Sequence, residues 1–326
     1  MSRPIPLVAA AAPMLAAAAA VVLSSASPAL AGQTEYFANL GTLNAAYGST
    51  ATGTARLTHN DDNPTMPTLR VRINATGLQD FSAVPRAVHL AHIHGQFEGN
   101  AAEPLPQQLT GPFFSGQGGV PGSGFAPVNS TVPTAADDGG RLVDEPAMGL
   151  GSTRYLDFFE GLPDYGPVVM NLPNTDLPAP PEGVSPTQQF VMGIQSGTVN
   201  PEALFPKGTE FNLDVTYLFD LNNPDDHRQY HNTVGDGGQF LDDRLIVLHG
   251  LTVPTAISDA IDLAAGVPAG NPQAGVPLGN GMSFRAVAPV AAGEIAAVPL
   301  PAAVWAGLAT LAGMGGFSKL RRRAAR

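Results

Sequence analysis

The clearest pattern along the chain is a two-residue alternation of apolar and polar positions. In TLRVRINATG (68–77), Leu69, Val71 and Ile73 alternate with Arg70, Arg72 and Asn74. In EFNLDVTYLF (210–219), Phe211, Leu213, Val215, Tyr217 and Phe219 alternate with polar residues. A period of two is the signature of a β-strand with one buried face. AVHLAHIHG (87–95), GPVVMNL (166–172), QQFVMGIQSG (188–197) and RLIVLHGLTV (244–253) are read as further strands. Helical periodicity is confined to 152–160 and 256–266. Short strands separated by turn-rich loops predict an all-β fold, an antiparallel Greek-key sandwich or barrel. With 37 Gly and 31 Pro in 326 residues, long helices are disfavoured. Residues 96–135 read as one long Gly/Pro-rich loop, and 255–297 as a spacer, its Ala/Gly/Pro/Val-rich part being 267–297. The β domain is therefore expected over 32–254.

The two ends carry a different pattern. Residues 1–31 have one early cation, Arg3, then an Ala/Val/Leu run closing in Ala29-Leu30-Ala31. This is the layout of a secretory signal peptide cleaved after an A-x-A site; the alternative is a membrane anchor, against which Pro13 and the small residues argue. From Val298 to Phe317 there is no charge, about 20 residues and enough for a helix to cross a bilayer core of about 30 Å. Lys319, Arg321, Arg322, Arg323 and Arg326 follow, which the positive-inside rule places in the cytoplasm.

Val298-Pro299-Leu300-Pro301-Ala302, the apolar stretch and the Arg cluster together resemble the VPLPA variant of the PEP-CTERM sorting signal. That resemblance implies a Gram-negative-type bacterium, an exosortase-type processing enzyme, transient anchoring in the inner membrane, and release to the cell surface or extracellular matrix. A plain single-span anchor would equally hold the body of the chain outside the cytoplasm.

Removing both ends changes the charge. Arg3 and five tail cations go, and no acid does, leaving 10 basic against 27 acidic residues, a balance of −17 over about 265 residues. Such a surface attracts cations and argues against nucleic acid, whose phosphates need clustered Lys and Arg. Cysteine is absent, which excludes disulfides, thiol catalysis, thiolate zinc and iron–sulfur sites.

Candidate chemistry lies in the seven histidines. HLAHIHG (89–95) holds three of them. On a strand His92 and His94 share one face and His89 takes the other. DDRLIVLHG (242–250) is an apolar strand ending in His249, on the face of Leu245 and Val247. A common metal would require the ring nitrogens of His92, His94 and His249 to approach within about 5 Å, since metal–nitrogen bonds are about 2.0–2.1 Å. The bland alternatives are a rim residue and a coincidental His-x-His. His227 and His231 in DDHRQYHN, beside Asp225 and Asp226, are read as a solvated loop because Asn-Asn-Pro precedes them, with a metal pair as the lesser alternative. The acids of AADDGGRLVDE miss the EF-hand pattern at Gly139. The sequons at Asn74 and Asn129 carry no weight in a bacterial setting. There is no Gly-x-Ser-x-Gly elbow, phosphate loop or dinucleotide fingerprint.

HLAHIHGQFEGNA, LDFFEGLPDYGPVVMNL and DDRLIVLHGLTV resemble stretches of chordin-type (CHRD) domains in bacterial secreted proteins, in patches over 34–254. This implies a β-rich extracellular domain with a binding or structural role. The long insertion over 96–165 departs from a compact CHRD domain. A His-x-His strand followed by a late apolar strand ending in His-Gly is also similar to the copper-ligand layout of Cu/Zn superoxide dismutases, a Greek-key barrel family. Carried over, that implies copper on His92, His94 and His249. The bridging histidine, the zinc cluster, the disulfide and the channel arginine have no match.

Two functions are therefore expected. One is an exported, surface- or matrix-associated CHRD-like protein that binds matrix or polysaccharide. The other is a copper-binding protein or superoxide dismutase-like enzyme. The catalytic residues are unassigned.

Overall fold

The structure, a computed structural model, describes residues 32–97, 127–128, 130–132, 164–179, 186–264, 266–267 and 274–299. The leader over 1–31, most of the 96–135 loop, the acidic motif at 137–145, the helical stretch at 152–160 and the sorting tail beyond Pro299 lie outside them. Among the described residues no helix is long and apolar enough to cross a membrane.

The described residues form an antiparallel β fold, one sheet curled into a half-barrel. Its strands are β1 (Gln33–Thr42), β2 (Thr52–Asn60), β3 (Thr68–Thr76), β4 (Ala91–Phe97), β5 (Pro127–Val128), β6 (Val168–Asn171), β7 (Glu210–Leu218), β8 (Arg244–Pro254), β9 (Val276–Pro277), β10 (Met282–Glu294) and β11 (Ala296–Ala297). The order across the sheet is β5-β4-β8-β10-β1-β2-β3-β7, with β6 on β4, β9 on β10 and β11 on β1. The meander β1–β2–β3 and β7 obeys the alternation. Leu69, Val71, Ile73 and Ala75 face Tyr217, Val215, Leu213 and Phe211 across the β3–β7 ladder, and the outward Arg70 makes a two-pronged 2.7 Å pair with Asp214. That exposed pair contributes little beyond orientation, roughly 0–1 kcal/mol.

The other half of the sheet is covered on both faces. β4 is buried throughout, and β8 is buried from Arg244 to Leu251. A strand buried on both sides reads as a continuous apolar run, which is why RLIVL does not alternate. α1 (Pro186–Ser196), α2 (Pro201–Leu204), α3 (Pro224–Thr233) and α4 (Thr255–Ala264) complete the fold. α4 buries Ile257 and Ile261, one turn apart, and Arg285 of β10 pins it through a 2.7 Å bond to Asp262.

Four expectations are corrected. QQFVMGIQSG lies in α1, not a strand: Phe190 and Ile194 are an i, i+4 pair turned inward, and Phe190 packs edge-on against Phe205 at 5.5 Å. The DDHRQYHN segment is helix α3, not a loop. Asn223 caps it by accepting from the Asp225 N–H at 2.9 Å, and Pro224 occupies the first helical position, where its missing N–H costs nothing. The strand expected from Ala87 starts only at Ala91, after a stretch in which Arg86 takes a positive φ of 61°. The spacer expected over 255–297 is instead α4 and three strands. Of these, β10 is a buried strand between β8 and β1, so the domain does not end at residue 254. β11 and the Val298 N–H, which donates to Glu35 O at 2.8 Å, carry it to the threshold of the VPLPA motif.

Candidate metal centre

Three histidines meet because two strands pair in a particular register. β4 and β8 run antiparallel with His92 opposite Val247 and His94 opposite Leu245. Directly paired residues share a face, so His92, His94, Leu245 and Val247 point the same way, and His249 joins them two residues beyond Val247. The His249 N–H donates to Leu90 O at 2.9 Å, holding the strands together at that end. Ring centroids are 5.0 Å apart for His92–His249, 5.6 Å for His94–His249 and 5.8 Å for His92–His94. One ring nitrogen from each lies within 4.8 Å of the others. At the widest, that triangle has its centre about 2.8 Å from each corner. A contraction of under 1 Å would then reach metal–nitrogen bond length, about 2.0–2.1 Å.

Backbone carbonyls set two of the rings. His94 donates from Nδ1 to Gly166 O at 2.8 Å, and His249 from Nδ1 to Val287 O at 2.8 Å. A carbonyl can only accept, so both Nδ1 atoms carry the proton, and in the neutral ring Nε2 keeps the lone pair. This is the tautomer-fixing arrangement that metal-binding histidines use. The edge of Tyr165 packs against the His94 ring at 4.6 Å. The Nδ1 of His92 is buried with no hydrogen-bond partner among the described residues. A buried nitrogen in that state costs about 1–3 kcal/mol, a cost that a bound ion would offset.

The glycines of the motif have structural reasons. A Cβ on Gly95 would sit 2.7 Å from Nε of Arg244, which fills the opposite face of the sheet. Gly166, at φ +76°, lies so close to Gly95 that a Cβ would fall 2.4 Å from Gly95 O. That close approach brings its carbonyl to His94. Val287 lies where the β8–β10 register slips between Arg285 and Pro289, which turns its carbonyl to His249.

Exposure is 5 % for His92 and 0 % for His94 and His249. Burial pushes all three pKa values down: His94 to about 3, His249 to about 4, and His92 well below its usual range. Mutual repulsion of His92 with His249 and His94 adds to the burial effect. The neutral, metal-ligating form is therefore the resting form.

The other candidates sort away from this centre. His89 faces the opposite way, donating from Nε2 to Gln79 O at 2.7 Å with its ring on Phe81 at 4.7 Å. His227 and His231 lie on α3, and the His231 ring packs against Phe240 at 5.5 Å. His59 pairs with the Tyr230 hydroxyl at 2.9 Å. Among the described residues no second group of three donors converges. Two fully buried arginines, Arg244 and Arg285, serve elsewhere. Arg244 donates to Asn232 O at the end of α3 and lies over Phe97, and Arg285 grips α4.

The residues that sequence reasoning missed are Tyr165, Gly166 and Val287. The two carbonyls carry no residue-type signal and come from 72 and 38 positions away. No protein-family model, curated protein or solved structure matches the chain.

Proposed function

We propose that this chain is an exported β-domain protein that holds one transition-metal ion, copper in the first instance, between His92, His94 and His249. The observation that carries the reading is the convergence of three buried ring nitrogens within 4.8 Å. The donor set fits the group: neutral imidazoles suit copper and zinc. Nε2 of His94 and of His249 would supply two bonds, and the unpartnered Nδ1 of His92 is available for the third. A bound copper ion would supply one-electron chemistry, and the strand pairing would supply a fixed triangle of ligands. Metal analysis of the purified protein should find one ion per chain, absent from a His92→Ala/His94→Ala variant. A metal-free wild type after copper or zinc loading overturns the reading. A superoxide dismutation assay on the loaded protein then separates an enzyme of dismutase type from a binder.

The site reading is compatible with a CHRD-like role in binding matrix or polysaccharide, which the patchwise resemblance and the balance of −17 support. The VPLPA-type motif supports exosortase-type processing and delivery to the cell surface. Deleting 298–326 should abolish surface delivery; unchanged surface localisation of that truncation refutes the sorting assignment.

A further inference from the structure

Resting on the metal-centre reading, we propose that the His92–His94–His249 site is selective for monovalent copper, binding Cu(I) more tightly than Cu(II) or Zn(II). Three features of the cage point the same way. Its donors are three neutral imidazoles, and among the described residues no carboxylate joins them within the donor triangle. The groups that accept from Nδ1 of His94 and His249 are neutral, the carbonyls of Gly166 and Val287, where many metal-bound histidines lean on a carboxylate. The cage is buried: His94 and His249 are fully covered and His92 nearly so, with Leu245 and Val247 on the same strand face and the Tyr165 ring on His94.

Among the described residues no acid joins the three rings to balance the charge of a bound ion. The cost of transferring an ion from water grows with the square of its charge, so a divalent ion pays four times what a monovalent ion pays. Coordination number adds to this. Structural zinc takes four ligands, and zinc on three protein ligands keeps a water in the fourth place; divalent copper prefers a tetragonal set. Three converging nitrogens satisfy a three-coordinate Cu(I) without water or hydroxide. The site would thus keep exported copper in its reduced form, as a store, carrier or electron donor does.

The experiment is a competition titration on the full chain. Cu(I) is titrated without oxygen against bicinchoninate, and Cu(II) and Zn(II) against nitrilotriacetate. The expected result is one Cu(I) per chain, bound at least 100-fold more tightly than either divalent ion. His92→Ala should weaken Cu(I) by at least 100-fold. His92→Asp adds a negative donor at the same place and should narrow the Cu(I)-to-Zn(II) preference at least tenfold. Divalent binding as tight as Cu(I), still lost in His92→Ala, overturns the selectivity and leaves the three-histidine site standing. Undiminished Cu(I) binding in His92→Ala, or a preference unmoved in His92→Asp, also overturns it. Failure of all three ions to bind overturns the metal centre itself.

Discussion

Gly95 follows His94 directly, and a methyl group on it would press on the middle of the Arg244 side chain, 2.7 Å from Nε and 2.8 Å from Cδ. Arg244 cannot swing aside. Its guanidinium lies over Phe97 at 4.8 Å and near Phe240 at 5.8 Å, with Nη2 bonded to Asn232 O at 2.7 Å. Gly95→Ala should therefore act as overpacking, lowering stability by about 1–3 kcal/mol. A urea midpoint equal to wild type would show that Arg244 is freer than its surroundings suggest. The histidines themselves make a pH prediction. His94 and His249 stay neutral in the folded chain down to about pH 3 and 4, whereas an unfolded imidazole takes its proton near 6.5. Between those values the unfolded state binds more protons, so stability rises with pH through that window and is lost as pH falls through it. Each ring costs up to about 1.4 kcal/mol per pH unit there, and above about pH 7 neither adds any slope. Chelator-treated protein should show a urea midpoint that drops between pH 6.5 and 4.5. The drop should be shallower with His94 and His249 both changed to Gln, and identical slopes would mean that the rings are not buried neutral.

At the scale of elements, β10 is where sequence and structure diverge most. It lies between β8 and β1 and supplies the carbonyl that orients His249. Ending the chain after residue 267 should remove cooperative unfolding altogether, because β8 and β1 each lose a ladder and the buried face formed by Val287, Val290 and Ala291. A truncated chain with a wild-type thermal transition would restore the spacer reading. The strand was illegible because its middle, 286–292, is made only of Ala, Val and Pro on both faces, which leaves no alternation there to mark it. β3 and β7, half-buried with charged outer faces, were legible for the opposite reason. α1 misled because a short apolar run does not distinguish strand from helix. The start of α3 was written in the chain as Asn-Pro, a cap and a first-turn proline, yet read as a turn because both residues also favour turns. For the site, the strand period and the lone histidine ending an apolar strand were enough to bring the three histidines together. The carbonyls of Gly166 and Val287 could not be found that way, since what makes them partners is a close backbone approach and a register slip.

At the scale of the whole molecule, the three histidines come from β4 and β8, while the carbonyls that orient His94 and His249 come from the segment before β6 and from β10. A metal bound there ties together four separated stretches of chain, so its binding energy should appear in the stability of the entire sheet rather than in a local transition. An ion that binds only the folded state stabilises it by about 2.7 kcal/mol at a hundredfold excess over its dissociation constant. For a domain of about 150–250 residues, each kcal/mol moves the midpoint by about 2–4 °C. Copper loading should raise the midpoint by about 5–10 °C in one cooperative transition, and a chelator should reverse the shift. The His92→Ala/His94→Ala variant should show no metal-dependent shift, although its metal-free midpoint can lie above or below wild type according to how well the alanines fill the space. The informative quantity is therefore the difference between loaded and stripped protein within each chain. Should that difference persist undiminished in the variant, the stabilising ion binds elsewhere, and the acidic residues outside the three-histidine cluster become the place to look for it.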